Sequence, residues 1–174
     1  VLFRSHYELN YKLYSLGASL VANDPIVEKL RPLAHEVSQY YDISVNINTI
    51  LDKNAILLFP VTRFYNKDLD FQIGETAPAY CTSSGKAILS QLSEQELDIY
   101  FQNLQLRSFQ GNIYTEEEIR KELQTARKYG YAVCQEEYVS GVFSLSFPLR
   151  DLSGHFYAFT LIMPMRRKKD IVQA

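Results

Sequence analysis

Hydrophobic positions in the first part of the chain recur at helical spacing. Leu13, Leu16 and Leu20 lie three or four residues apart, which predicts a helix over residues 10–22. The residues between them are mostly polar or small, so the pattern indicates an amphipathic helix with one apolar face.

A second helix is predicted to start at Asp24 and to end near Asp42. An aspartate side chain can cap the free N–H groups of a helix start, and Pro25 is tolerated at the first helical position. The apolar face of this helix comprises Val27, Leu30, Ala34, Val37 and Tyr41.

From residue 43 the period changes to two, which predicts a half-buried strand. The apolar positions Ile43, Val45 and Ile47 alternate there with Ser44, Asn46 and Asn48. A turn over 52–54 and an apolar run over 55–64 complete a predicted hairpin. We expect a polar loop over 65–70 and a short strand over 71–73, ended by Gly74.

Residues typical of helix starts also predict helices in the second half of the chain. We place a short helix start at Ser83 or Ser84. Capping boxes predict two further helices, because a hydroxyl residue followed three positions later by glutamate satisfies free N–H groups at both positions. These boxes are Ser93 with Glu96 and Thr115 with Glu118; the second helix shows Ile119, Leu123 and Ala126 on one face and stops at Gly130.

The remaining segments are predicted to be strands that arrive as hairpins. We expect strands over 131–138, 143–149 and 156–163, with a turn over 151–154 and a last short helix opening at the basic run 166–169. The fold class is therefore α+β, with a largely antiparallel sheet flanked by helices.

Composition narrows the function. The chain has 174 residues, a net charge of −2 and 47% hydrophobic residues, with no apolar run long enough to span a membrane. Domains that bind DNA usually carry a basic excess, which this chain lacks. The chain has two cysteines, and they lack the spacing of a disulfide framework, which favours a reduced, cytoplasmic setting. His6, His35 and His155 stand far apart, so we expect no metal site and no cofactor.

Ser83-Ser84-Gly85-Lys86 is the most informative short segment. Its first and last residues form a Ser-x-x-Lys pair, which occurs in serine acyl-transfer enzymes, but the Ser-Asp-Asn and Lys-Thr-Gly segments of those enzymes are absent. A helix that starts with small residues instead offers backbone N–H groups to a small carboxylate. Elsewhere, we expect Glu136 and Glu137 to be solvated.

Three segments together resemble the IclR family of bacterial transcriptional regulators. A proline, a spacer, small residues and Gly-Lys-Ala occupy 78–87. Arg-x-x-Gly-Tyr occupies 127–131, followed by acidic residues and Gly-Val over 136–142, and Pro-Leu-Arg-Asp-x-x-Gly occupies 148–154. Upstream, residues 7–17 resemble the end of the wing and the linker helix that follow the family's DNA-binding domain.

The resemblance implies a GAF-like fold with an effector pocket on one side of the sheet. It implies that residues 1–22 are the wing end and linker helix and that 23–174 are the effector-binding domain, with its C-terminal helix truncated. The winged helix-turn-helix that reads DNA would precede residue 1.

The resemblance also implies which residues form the pocket. The family's acidic residue is replaced by Cys134, a common cysteine by Ser144, and two common serines fall at Thr160 and Ile162. We expect Cys134 to be a small apolar wall rather than a reactive thiol. These changes make the pocket less polar, and a larger or more aromatic effector fits it as well as a small keto acid does. The expected effector site comprises Ser83, Ser84, Gly85, Cys134, Ser144, Thr160 and Ile162.

The leading interpretation is a sensing domain and not an enzyme. It would bind a small organic, anionic effector, contact DNA only through the missing N-terminal domain, avoid membranes, and assemble as a homodimer or homotetramer. A stand-alone GAF-type sensor is the alternative among binding modules, and acyl transfer by Ser83 and Lys86 is the enzymatic alternative.

Overall fold

The computed structural model describes residues 11–63, 72–107, 109–111 and 114–169. The expected wing end before residue 11, the polar loop over 65–70 and the start of the strand predicted at 71 lie outside these ranges. The elements, in chain order, are α1 (Tyr11–Ala22), α2 (Pro25–Tyr41), β1 (Ser44–Leu51), β2 (Asn54–Val61), β3 (Thr76–Pro78), a 3-10 turn (Ala79–Cys81), α3 (Ser83–Leu89), α4 (Glu94–Phe101), α5 (Glu116–Tyr129), β4 (Ala132–Gln135), β5 (Val142–Arg150), β6 (Phe156–Pro164) and a 3-10 turn (Met165–Arg167).

In the described part of the chain, six strands form one antiparallel sheet in the order β3-β2-β1-β6-β5-β4. The predicted hairpins are present as β1–β2 and β5–β6, and pairing of β1 with β6 brings the two halves of the chain together. The α+β class and the antiparallel sheet predicted from the sequence are therefore confirmed. No helix within the described ranges is long and apolar enough to cross a membrane.

Helix α2 covers one face of the sheet. Asp24 caps it as predicted, since its Oδ1 accepts from the N–H groups of Ile26 and Val27 at 2.9 and 3.0 Å. The second carboxylate oxygen accepts from the Tyr157 hydroxyl at 2.9 Å, which ties the helix start to β6. The core between α2 and the sheet is formed by Val27, Ala34, Ile43, Val45, Ile47, Val61, Phe143, Phe159 and Met163.

The opposite face of the central strand is also buried, which corrects the half-buried prediction for β1. Ser44, Asn46 and Asn48 are buried although they alternate with the apolar core residues. The period-two pattern was identified correctly, but the polar face lies under α3, which contacts β1, β4, β5 and β6, instead of facing water.

Gly85 allows α3 to pack closely against the preceding turn. A Cβ at this position would lie 2.1 Å from the carbonyl oxygen of Ala79, well inside any real contact distance. Because the clashing atoms belong to the backbone, a side chain here would displace α3 from the turn. The glycine thus fixes the position of α3.

Two strand predictions were wrong in their limits. Gln72 and Ile73 form no strand; Gly74, at φ +88°, sits in a turn, and the strand comes later, at Thr76–Pro78. The strand predicted over 131–138 ends at residue 135, because Glu136 has a positive φ of 58° and its carboxylate accepts the Gly141 N–H at 2.7 Å.

Both capping boxes are present as predicted, and Gly130 ends α5 in the left-handed conformation. The expected face of α5 is buried in part with the residues around α4. The second core cluster comprises Ala79, Tyr80, Cys81, Leu89, Leu97, Tyr100, Phe101, Ile119 and Leu123.

Candidate functional site

A cavity of about 120 Å³ lies between the start of α3 and the polar face of the sheet. Strands β1, β2, β5 and β6 each contribute two alternate side chains to it, because residues two apart share a face. The structure brings together six of the side chains that the sequence singled out, Ser83, Ser84, Cys134, Ser144, Thr160 and Ile162.

Gly85, the seventh residue expected in the site, does not line the cavity. Its N–H donates to the Thr82 side chain at 3.2 Å, which caps α3, and its Cα faces the backbone of Ala79. One of the N–H groups expected to receive a carboxylate is therefore already used within the protein.

Sequence reasoning missed the part of the wall that β1 and β2 contribute. Asn46 and Asn48 line the cavity together with Leu57, near a register shift in the β1–β2 pairing between Ile47 and Asn48. Such irregularities re-aim side chains and are common next to functional sites. The alternation along β1 did place both asparagines on one face, but it carried no sign that a helix covers that face.

Tyr138 and Val139, which follow β4, and Val142, at the start of β5, close another side of the cavity. Val139 and Val142 are buried and pack with Ile162, so this side is largely apolar. Val142 lies two residues before Ser144 on β5 and shares its face, a period-two signal that could have identified it. Tyr138 and Val139 follow the early end of β4, which the sequence did not predict.

A chain of hydroxyl groups crosses the polar wall. The Oγ atoms of Ser83 and Ser144 lie 2.7 Å apart, and those of Ser83 and Ser146 lie 2.8 Å apart. Ser146 Oγ is 2.9 Å from Thr160 Oγ1, which in turn lies 3.3 Å from Asn48 Oδ1. The chain links α3 to three neighbouring strands and satisfies polar groups that burial would otherwise penalise.

Asn46 differs from these neighbours. It is 5% exposed, and among the described residues its Oδ1 is the buried side-chain oxygen or nitrogen without a hydrogen-bond partner. Buried polar atoms nearly always have a hydrogen-bond partner. Asn46 Oδ1 is therefore an exception among the residues that line the cavity.

The cavity has little charge. Of the described residues that line it, Glu75 is the one with a charged side chain, and no cationic side chain is among them. The anionic effector expected from the sequence therefore finds no cationic side chain in this wall.

Cys134 is a buried, neutral thiol. Its Sγ donates to the carbonyl oxygen of Cys81 at 3.4 Å, and burial raises the pKa of the Cys134 thiol to about 11. A thiol protonated at neutral pH is a poor nucleophile. The geometry agrees with the apolar-wall interpretation of this residue.

Lys86 lies one helical turn beyond Ser83 and is 2% exposed. Its Nζ pairs with the carboxylates of Glu122, at 2.6 Å, and Glu137. Burial lowers the pKa of Lys86, but the two carboxylates outweigh it and hold that pKa above its usual value. The expectation that Glu137 is merely solvated was wrong, because its partner lies far away in the sequence.

These contacts do not form the Ser-x-x-Lys pair of an acyl-transfer enzyme. That chemistry needs a lysine able to take the serine proton. Lys86 is held in its charged form by the two carboxylates, and Ser83 Oγ bonds other hydroxyls instead. Within the described residues, no group of three or more His, Cys, Asp or Glu side chains could hold a metal ion.

Comparison with known proteins adds a family match. The family model described as the C-terminal part of the bacterial transcriptional regulator IclR matches residues 18–171. The Pca regulon regulatory protein of Pseudomonas putida is 25% identical over 155 residues, which cover 87% of this chain and 53% of that protein. The chain thus spans about half the length of the curated relatives it matches.

Solved structures share the fold. The IclR protein of Thermotoga maritima superposes with a TM-score of 0.83 at 22% identity, over 94% of this chain and 68% of that one. The inducer-binding domain of the Acinetobacter transcription factor PobR, solved as a double mutant in complex with 3-hydroxybenzoic acid, gives a TM-score of 0.69 at 19% identity. That match covers 83% of this chain and 87% of the PobR domain.

The ion pairs of Lys86 provide a stability test. Glu137→Gln leaves the buried ammonium with Glu122 alone, and the side chain of Glu122 is half exposed. We expect the free energy of unfolding to fall by about 2 kcal/mol, because an incompletely paired buried charge is costly. The control Glu117→Gln removes an exposed pair with Lys121 and should change it by less than about 0.5 kcal/mol.

Urea denaturation near neutral pH measures both values, and equal effects of the two substitutions would contradict this account. The pH dependence has a definite sign. Because the folded-state pKa of Lys86 is raised, its stabilisation is complete below the unfolded-state pKa of about 10.4 and is lost as the pH rises through the folded-state pKa.

Proposed function

Because this chain belongs to the IclR family of bacterial transcriptional regulators, whose C-terminal model it matches over residues 18–171, we propose that it is the ligand-sensing part of such a regulator. The observation that carries the proposal is the cavity beneath α3, which is lined by residues of α3 and of all six strands of the sheet. Concave, largely apolar cavities with a few convergent polar groups are the usual form of small-molecule sites.

The effector we propose is a compact organic molecule. The cavity of about 120 Å³ is similar in size to the ~150 Å³ engineered cavity that holds one benzene molecule. The PobR inducer-binding domain, which shares this fold, was crystallised with 3-hydroxybenzoic acid, a molecule of that size class. This supports a ring-sized effector without identifying it.

In this proposal, DNA is contacted by a domain outside these residues. The chain carries a net charge of −2, whereas DNA-binding surfaces are strongly basic. Regulators that read two half-sites need two copies of the reading domain, so we propose a homodimer or homotetramer acting in the cytoplasm. Acyl transfer is not proposed, because Lys86 is engaged by two carboxylates.

Filling the cavity tests the sensing role. Ser84 is buried in the cavity wall, so Ser84→Leu places a larger apolar side chain there. We expect at least one compound in a panel of ring-sized hydroxy and carboxy metabolites to raise the thermal midpoint of the unmodified chain. Ser84→Leu should abolish this stabilisation, worth about 2.7 kcal/mol when the ligand is at a hundredfold its Kd.

The matched control is Ser19→Leu, which alters an exposed serine on α1 and should respond like the unmodified chain. Circular dichroism establishes that each variant is folded. A compound that stabilises folded Ser84→Leu as strongly as the unmodified chain would place the effector site elsewhere.

The isolated 174-residue chain provides a second test. We expect it to sediment as a dimer or larger species and to give no sequence-selective gel shift with duplex DNA. Sedimentation of a monomer alone at high protein concentration would contradict the proposed assembly. A salt-resistant, sequence-selective shift would contradict the assignment of DNA binding to another domain.

A further inference from the structure

Residues 137–140 form a short strap between β4 and β5 that lies outside the helices and strands. Its base is closed where the Glu136 N–H donates to the Val142 carbonyl oxygen at 2.9 Å. Tyr138 and Val139, in the middle of the strap, line the cavity. One side of the cavity is therefore formed by a segment that is not part of the pairing between strands.

The strap needs anchors that lie away from the cavity, because side chains that border a void have fewer dispersion contacts than those in a filled core. One anchor is the ring of Phe109, whose centroid lies 5.3 Å from that of Tyr138. Another is the Tyr114 hydroxyl, which donates to the carbonyl oxygen of Glu137 at 3.4 Å. Burial raises the pKa of Cys134, and hydrogen bonds from the backbone N–H groups of the strap to its sulfur, a weak acceptor, lower it.

The carboxylate of Glu137 supplies a stronger anchor. It pairs with the ammonium group of Lys86, and it accepts the Gln135 N–H at 3.3 Å. Lys86 is 2% exposed, so salt and water screen this ion pair much less than a surface pair. Burial lowers the pKa of Lys86, whereas the charge of Glu137 raises it, and does so more than the charge of Glu122. Charge-assisted contacts are about twice as strong as neutral ones, so this pair is the main attachment of the strap.

We propose that Glu137 is a positioning residue of the effector site: through its ion pair with Lys86 it holds the strap against the cavity and so sets how closely the cavity encloses an effector. The inference rests on the proposed function of the cavity and concerns how one of its sides is held. Lys86 and Glu137 do not line the cavity themselves, so they act through Tyr138 and Val139. Lys86 follows Ser83 by one helical turn, so the pair also ties the strap to the helix whose start lines the same cavity.

The strap can be observed directly because the chain contains no tryptophan. Tyr138→Trp exchanges one aromatic ring for another and introduces a single fluorescent reporter into the strap. Acrylamide is a small, uncharged quencher, and its collisions with the reporter measure how readily the strap exposes this side chain to solvent. Fluorescence lifetimes at increasing acrylamide concentration give the bimolecular quenching rate constant.

Glu137→Gln and Glu122→Gln, each made in the Tyr138→Trp chain, form a matched pair. Each substitution removes one of the two carboxylates that contact Lys86 and keeps the shape of the side chain. Only Glu137 belongs to the strap. We therefore expect Glu137→Gln to raise the quenching rate constant at least about threefold, because a local opening becomes easier, and Glu122→Gln to change it by less than about a third of its value.

Lys86→Met is a second variant in the same reporter chain. It removes the cation and leaves the carboxylates of Glu137 and Glu122 to repel each other, so the quenching rate constant should rise as it does in Glu137→Gln. Circular dichroism establishes that each variant is folded. If Lys86→Met does not fold, the comparison of the two glutamine variants decides the question alone.

Two results would overturn the proposal. The first is an unchanged quenching rate constant in folded Glu137→Gln. The second is an equal rise in Glu137→Gln and Glu122→Gln, which would reduce the effect to a general loss of stability. The outcome is separate from that of the proposed function, because quenching needs no effector. A strap that opens in Glu137→Gln, in a chain whose metabolite response survives Ser84→Leu, would keep the ion pair as the anchor of the strap and remove its link to sensing.

Discussion

Burial of a polar sheet face beneath α3 is the constraint on which the rest of this structure depends. A central strand covered on both sides normally carries apolar residues on both, yet β1 presents Ser44, Asn46 and Asn48 to its second covered face. Each buried polar atom needs a partner or costs stability. Thr160 on β6 donates to Asn48 and the Arg63 N–H donates to Ser44, whereas Asn46 Oδ1 has no partner among the described residues.

The position of α3 is fixed at three points. Gly85 allows it to touch the backbone of Ala79, Ser83 joins it to the hydroxyls of the sheet, and Lys86 pairs with Glu122 on α5 and with Glu137 after β4. The segment that carries Glu137 also carries Tyr138 and Val139, which line the cavity. The cavity wall and the ion pairs are thus joined through a short helix.

The sequence predicted most where local chemistry decides the structure. Short-range signals set where these helices begin and end. They are the Asp24 cap, the capping boxes at Ser93 and Thr115, and the stop at Gly130. Six of the seven residues expected in the effector site line one cavity, and Gly85 does not. A motif position does not say whether a residue faces a ligand or packs against a neighbouring turn, as Gly85 does against Ala79.

What the sequence did not predict depends on long-range packing. The period-two pattern of β1 is the same whether its polar side faces water or a helix. The sequence therefore did not predict that Asn46 is buried. The partnership of Glu137 with Lys86 spans about fifty residues and leaves no local pattern. The strand at Thr76–Pro78 was missed because its position is set by pairing with β2, which short-range signals do not encode.

The most direct measurement is a crystal structure of this chain with any compound that stabilises it. The account predicts density for one ring-sized molecule beneath α3, in contact with Ser84. A compound bound at another surface, with the space beneath α3 left to solvent, would contradict it.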